Sequence, residues 1–114
     1  MNELSAPSNT LPDVSIKAPG EAEATLPAAG EAVLSAIMIR ALRAHADTLA
    51  EDRIAKTVSI SVDVTGETFD GGTVSMKTKT DRQTRTLIFM NGIMRAGDTA
   101  LLKATAIFRL ADAD

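Results

Sequence analysis

Few side chains in this sequence could carry out acid–base or covalent chemistry. The chain has no cysteine, so it lacks a thiol nucleophile, a disulfide and a thiolate metal site, and no metal site is predicted. Its single histidine, His45, falls late in a predicted helix, where packing or a contact with the helix C-terminus is favoured over catalysis. Glu31 starts that helix beside Gly30 and either stabilises the helix dipole or acts as a general base near the Gly30 amide.

Two further sites place unusual residue types on predicted strands. Asp63 lies on an alternating strand, where it binds a ligand, faces water or pairs with a lysine. Asn91 and Gly92 interrupt another strand although both are poor strand formers. A plain bulge is the commoner cause, and a bound ligand or a subunit edge are the alternatives.

A long helix is predicted from Glu31 to about Leu49, and its first turn would hold the Glu31 side chain in place. Apolar residues recur there at spacings of three and four, which defines one broad face for packing. This face comprises Val33, Leu34, Ile37, Met38, Ala41, Leu42 and His45. Before the helix, residues 14–17 and 21–26 alternate between apolar and polar and predict one or two first strands, followed by punctuation at Pro27 and Gly30.

Four strands in a row follow the helix. They are predicted over residues 57–64, 73–80, 84–95 and 99–110, with a hairpin tip at 81–83 and a second turn where Gly97 supplies a positive φ. In the first of the four, alternate apolar residues are expected to cover the helix. These are Val58, Ile60, Val62 and Val64. Residues 87–90 are apolar on both faces, which indicates a central strand or an outer face covered by another subunit.

Composition excludes several function classes. A chain of 114 residues suffices for one domain, predicted over residues 13–114 behind a loose tail at 1–12. Three Phe with no Trp or Tyr predict an aliphatic, methionine-filled core and no stacking platform for nucleic acid, and a net charge of -3 repels phosphate backbones. The sequence shows no apolar stretch of membrane-spanning length and no signal-peptide pattern, so a cytoplasmic location is expected.

The order of strand, long helix and four-strand meander resembles the hot-dog fold, an α+β fold in which an antiparallel sheet wraps around one central helix. In detail it is similar to the acyl-CoA thioesterase branch, of the phenylacetate-pathway type. Ser61-Val62-Asp63-Val64 followed by Phe69-Asp70-Gly71-Gly72 resembles the exit of the family's second strand. Residues 96–110 resemble the closing hairpin, and the resemblance covers roughly residues 21–112.

The resemblance implies an acyl-CoA substrate or ligand, with coenzyme A as part of it and no separate cofactor. It also implies a homodimer with the sheets joined edge to edge, and pairing of dimers into tetramers is left open. An unpaired sheet edge independently favours association. The implied ligand-binding residues are Gly30, Asp63, Thr65, Gly66, Asn91 and Gly92, with Glu31 as a displaced base. The basic residues Lys77, Lys79, Arg82 and Arg85 either meet the phosphates of coenzyme A or form a solvated hairpin.

The sequence departs from the family where the chemistry is expected. The His-Gly-Gly turn of such thioesterases is replaced by Ala28-Ala29-Gly30, and residues 37–41, where a helix acid is expected, contain no acid. Two hypotheses therefore stand side by side. The protein hydrolyses acyl-CoA thioesters, or it is a catalytically silent module that binds acyl or CoA ligands or acts as an assembly partner.

Overall fold

The computed structural model of the protein describes residues 11–113 and consists of one helix and one antiparallel sheet. The elements in chain order are β1 (Ser15–Ala18), β2 (Glu21–Ala29), α1 (Glu31–Ala50), β3 (Ile54–Val64), β4 (Phe69–Gln83), β5 (Leu87–Ala96) and β6 (Thr99–Ala111). The six strands lie in the order β1-β2-β4-β5-β6-β3. Most of the predicted tail, residues 1–10, lies outside the described part of the chain.

Helix α1 packs its apolar stripe against one face of the sheet, which is called the inner face below. Its buried residues are Leu34, Ile37, Met38, Ala41, Leu42, Ala46 and Ala50. Val33 was predicted on this face but is 36% exposed, because it lies at the margin of the buried stripe, in the first turn of the helix. The helix ends where Glu51 adopts a φ of 59°.

The core between α1 and the inner face is aliphatic and rich in methionine, as predicted. Met38, Met76, Met90 and Met94 are at most 1% exposed, and Phe108 is fully buried. Each such side chain contributes about 1.5–3 kcal/mol through the removal of apolar surface from water.

Strand β3 is less covered by the helix than the alternation predicts. Ile60 and Val62 are half-buried, but Val58 is 57% and Val64 45% exposed. Two causes are visible: β3 is an edge strand, and the register shift between Thr57 and Ser59 takes Val58 out of the ladder with β6. The prediction that all four apolar residues cover the helix is therefore wrong for Val58 and Val64.

Strands β2 and β4 run further than predicted, because they pair beyond the expected ends. Leu26 pairs with Gly72, and Ala29 pairs with Phe69, so residues 27–29 and 69–72, which lie beyond the predicted strand ends, belong to strands. Pro27 is tolerated there because the short β1 pairs only with residues 21–23 of β2, so within residues 11–113 one side of β2 has no strand partner at Pro27.

Strand β5 is central, between β4 and β6, as its two-sided apolar pattern predicts. Its ladder begins at Leu87 rather than Thr84, whose hydroxyl accepts a hydrogen bond from the Leu87 amide at 3.0 Å. The turn at Gly97 has the expected positive φ, of 60°.

No bulge occurs at Asn91 and Gly92, which pair in continuous register with Lys79 and Thr78. Gly92 instead faces α1, where a β-carbon would collide with the terminal methyl group of Met38. Close packing of the helix explains this glycine, and the bulge interpretation is wrong.

Candidate functional site

A cavity of about 220 Å³ opens at the N-terminus of α1 and is called the helix-start cavity. Gly30 and Glu31 border it on the helix side, and Gly66 and Glu67 border it from the loop between β3 and β4. Val64 lines it from the edge strand β3. The fold thus brings together three residues of the predicted site, Gly30, Glu31 and Gly66.

The inner wall of the helix-start cavity is apolar. Leu34, Phe69, Leu101 and Leu102 line it and are each at most 7% exposed, whereas Glu31 and Glu67 are exposed at the mouth. Sequence reasoning missed this apolar wall. The adjacent apolar pair Leu101-Leu102 could have indicated this wall, because two consecutive buried residues break the period of two on β6.

The start of α1 supplies backbone donors to this cavity. The first intrahelical bond runs from the Leu34 amide to the Gly30 carbonyl at 3.1 Å, and no side chain caps the helix. The amides of the first turn therefore have no intrahelical acceptor and form the positive end of the helix dipole. Apart from the chain neighbours of Gly30, no heavy atom of residues 11–113 lies within 4 Å of the point where a β-carbon of Gly30 would stand, so the space beside this residue is open.

Thr65 anchors the loop that carries Gly66 and Glu67. Its hydroxyl lies 2.7 Å from the Ala100 carbonyl and 3.0 Å from the Leu101 carbonyl, both on β6. The Thr65 amide also donates to the Leu101 carbonyl at 3.1 Å. The Thr65 side chain is thus engaged in holding the loop, and Gly66 turns the chain with a φ of 89°.

The other predicted ligand residues lie elsewhere. Asp63, Asn91 and Gly92 line a second cavity, of about 680 Å³, on the sheet face opposite α1, which is called the outer face. Asp63 is directly followed by Val64, which lines the helix-start cavity. Because successive strand residues point to opposite faces, Asp63 lies on the outer face and not in that cavity. The Asn91 side chain donates to Oδ1 of Asp81 at 2.6 Å.

His45 is a packed residue remote from the helix start. Its Nδ1 lies 2.9 Å from the Thr78 hydroxyl, and burial lowers the pKa of His45 below its ordinary value. Of residues 37–41, where the resemblance led us to expect a helix acid, Ile37 and Met38 are fully buried and Ala41 is 3% exposed, so three of the five lie in the apolar core. Within residues 11–113, no three His, Asp or Glu side chains cluster as a metal ion requires.

Solved structures share this architecture along nearly the whole chain. A phenylacetic acid degradation-related protein from Ralstonia eutropha superposes with a TM-score of 0.76 at 14% identity, covering 95% of this chain and 92% of that one. A hypothetical thioesterase protein from Streptococcus pneumoniae, solved with coenzyme A, gives 0.72 at 14% identity over 89% and 92%. A Bacillus halodurans protein solved with CoA gives 0.74 at 10% identity over 85% and 70%.

These likenesses confirm the predicted hot-dog fold: one long helix held against a six-stranded antiparallel sheet. Sequence comparison adds nothing more specific, since no family model and no curated protein sequence matches the chain. No helix in residues 11–113 combines the length and hydropathy needed to cross a membrane.

Proposed function

We propose that this protein is a homodimer that binds an acyl-CoA thioester in the helix-start cavity and hydrolyses it with Glu31 as the general base. The observation that carries this proposal is the cavity itself, where open helix-start amides and a carboxylate stand beside an apolar wall. The shared fold of proteins solved with coenzyme A supports the choice of thioester.

The site offers the groups that thioester hydrolysis needs. Glu31 takes a proton from water as the water oxygen bonds to the thioester carbon, and the helix-start amides donate to the resulting oxyanion. Collapse of this intermediate breaks the carbon–sulfur bond, and the leaving thiolate takes the proton held by Glu31, which restores the base. The wall formed by Leu34, Phe69, Leu101 and Leu102 contacts the acyl chain and excludes water from one side of the carbonyl.

The edge strand β3 supports the dimer. It pairs only with β6, so the backbone groups on its other side have no strand partner within the described residues. Ile54, Val58 and Val64 expose 45%, 57% and 45% of their surface along this edge. A long apolar edge is a template for pairing with a second chain. Because Val64 also lines the helix-start cavity, a partner on β3 would close one side of the site.

A binding protein without hydrolase activity is the second candidate. It is favoured by the setting of Glu31, which is exposed and has no hydrogen-bonded partner within residues 11–113 to orient its carboxylate. Such a protein would use the same amides and apolar wall to hold the ligand. For both candidates we propose a location in the cytoplasm, because a chain without cysteine suits a reducing compartment.

Release of free thiol from short, long and aromatic acyl-CoAs tests the proposal. Glu31→Gln keeps the shape of the side chain but removes the base, and we expect kcat to fall roughly 100-fold or more. Asp47→Asn is the matched control, since Asp47 is an exposed carboxylate of the same helix outside the helix-start cavity and its loss should leave kcat unchanged.

The thermal midpoint with added CoA separates the two candidates. A ligand that binds the folded state raises the midpoint. Wild-type protein that is stabilised by CoA but releases no thiol is the silent binder. Wild-type protein that shows neither stabilisation nor thiol release contradicts both candidates.

A further inference from the structure

The outer face of the sheet carries a cavity that the proposed thioester chemistry does not use. It has a volume of about 680 Å³ and is called the sheet-face cavity. This volume falls in the range of cavities that hold small-molecule ligands in proteins. It shares no lining residue with the helix-start cavity, and the sheet separates the two.

Three lysines from two strands surround the sheet-face cavity. Lys77 and Lys79 lie on β4, and Lys103 lies on β6. Ile93 of the intervening β5 pairs with both Lys77 and Lys103, so the lysines share one face of the sheet. Strand geometry separates the α-carbons of Lys77 and Lys103 by about 10 Å and those of Lys77 and Lys79 by about 7 Å.

Two carboxylates of the lining offset part of this positive charge. Glu21 and Asp63 also line the cavity and are register partners of Lys77 and Lys103. However, the ion pair that residues 11–113 form within 4.0 Å is Lys17 with Glu23, at the β1 edge. Like charges on neighbouring positions of one sheet face repel. With three lysines and two carboxylates in the lining, one positive charge is in excess, which favours an anion.

The rest of the lining restricts the kind of anion. Asn91 and Thr105 offer polar side chains beside the lysines, and Ile93 provides an apolar patch at the centre. Spaced lysines act as mobile point charges, which suits a compact anion with several charged oxygens.

We propose that the sheet-face cavity is a second binding site, for a small ligand that carries two or more phosphate groups. Lys77, Lys79 and Lys103 bind the phosphates, and Ile93 contacts the remainder of the ligand. The ligand is either a free phosphorylated compound or the nucleotide end of a coenzyme A molecule. The site does not depend on thioester hydrolysis, so a failure of the proposed activity leaves it untouched.

Calorimetric titration of the full chain with pyrophosphate, ADP and CoA tests this proposal. We expect pyrophosphate and ADP to bind, and Lys103→Gln and Lys77→Gln each to weaken binding roughly tenfold, since each removes a charge-assisted contact. Asp63→Asn should tighten binding, because it removes a carboxylate that competes for the same lysines. All three residues are exposed, and unchanged thermal midpoints verify that the variants fold.

Arg109→Gln is the matched control. Arg109 is exposed on the same strand and at the same parity as Lys103, but it lies outside the cavity lining. Equal weakening by Lys103→Gln and Arg109→Gln, or no binding of either pyrophosphate or ADP, overturns the proposal. If Lys103→Gln weakens ADP but not CoA, the ligand is a free phosphorylated compound. If both weaken together, the site holds the nucleotide end of CoA.

Discussion

Nδ1 of His45 lies 2.9 Å from Oγ1 of Thr78, and this contact joins the C-terminal half of α1 to the middle of β4. Thr78 is 7% exposed, and among the buried residues of the described chain it is the polar one. Its amide also donates to the Gly20 carbonyl at 2.8 Å, which ties the turn between β1 and β2 to the same point. A polar contact inside an apolar core costs stability when one partner is lost, because the other is left without a hydrogen bond.

Folding stability should fall as the pH drops through the histidine range. Burial lowers the pKa of His45 in the folded state, so below about pH 6.5 the unfolded chain takes up the proton first. The stability that the neutral imidazole of His45 contributes is fully present above that pH. It is lost as the pH falls toward the pKa of His45 in the folded state. Chemical denaturation at a series of pH values from about 7.5 to 5.5 measures this.

His45→Gln serves as the control for this pH dependence. His45 is the single histidine of the chain, so no other histidine titrates in the same range. The variant should be less stable than the wild type at neutral pH but should show a flatter profile. An unchanged slope in the variant would mean that His45 is not the titrating group.

Gly92→Ala should destabilise the fold by about 1 kcal/mol, because the flexible end of the Met38 side chain has to turn aside within the core. The added methyl group would collide with the terminal methyl of Met38, which is fully buried, and would lie 3.1 Å from Cγ2 of Thr78. Urea denaturation measures the change. The cost should shrink when Met38→Val provides room, and a cost that is the same in both backgrounds contradicts the Met38 explanation.

These two contacts show how far the sequence could predict the fold. The periods of α1 and of the strands predicted one long helix and a row of strands, because each element shows its own pattern locally, and the resemblance to a known family supplied the hot-dog fold. The cause of Gly92 could not be predicted, since Met38 meets it only after α1 has packed on β5. The exposure of Val58 and Val64 was missed for a related reason: alternation shows which residues share a face, but strand order decides which strand lies at the edge.

The candidate site was predicted in part. Gly30 and Glu31 are adjacent in sequence, and Gly66 joins them because β3 ends beside the start of α1. Asp63 was grouped with them by resemblance, yet the alternation of β3 places it on the outer face with Lys103. The sheet-face cavity could not be predicted, because its lysines come from strands that are neighbours of β5 but distant in sequence.

Val58→Lys should weaken the proposed dimer. Val58 is 57% exposed at the register shift of the β3 edge, where a charge would be buried by a partner strand. Sedimentation at several protein concentrations should show a larger monomer fraction. Ile16→Lys is the control, because Ile16 is 54% exposed on the opposite edge strand β1. Equal effects of the two changes, or a wild type that is monomeric at all concentrations, would contradict dimerisation through β3.

Thr65→Val should reduce ligand affinity without removing any group that contacts the ligand. The valine cannot donate to the Ala100 and Leu101 carbonyls, so the loop with Gly66 and Glu67 is held to β6 by the backbone alone. We expect a loss of about 1 kcal/mol in stability and a rise in KM for acyl-CoA, with kcat little changed.

Thr65→Ser keeps the hydroxyl and should restore both values. Thr25→Val removes an exposed hydroxyl pair with Thr73, which is not part of the lining of the helix-start cavity, and should leave KM unchanged. A fall in kcat with an unaltered KM would show that Thr65 acts on the reaction rather than on the position of the loop.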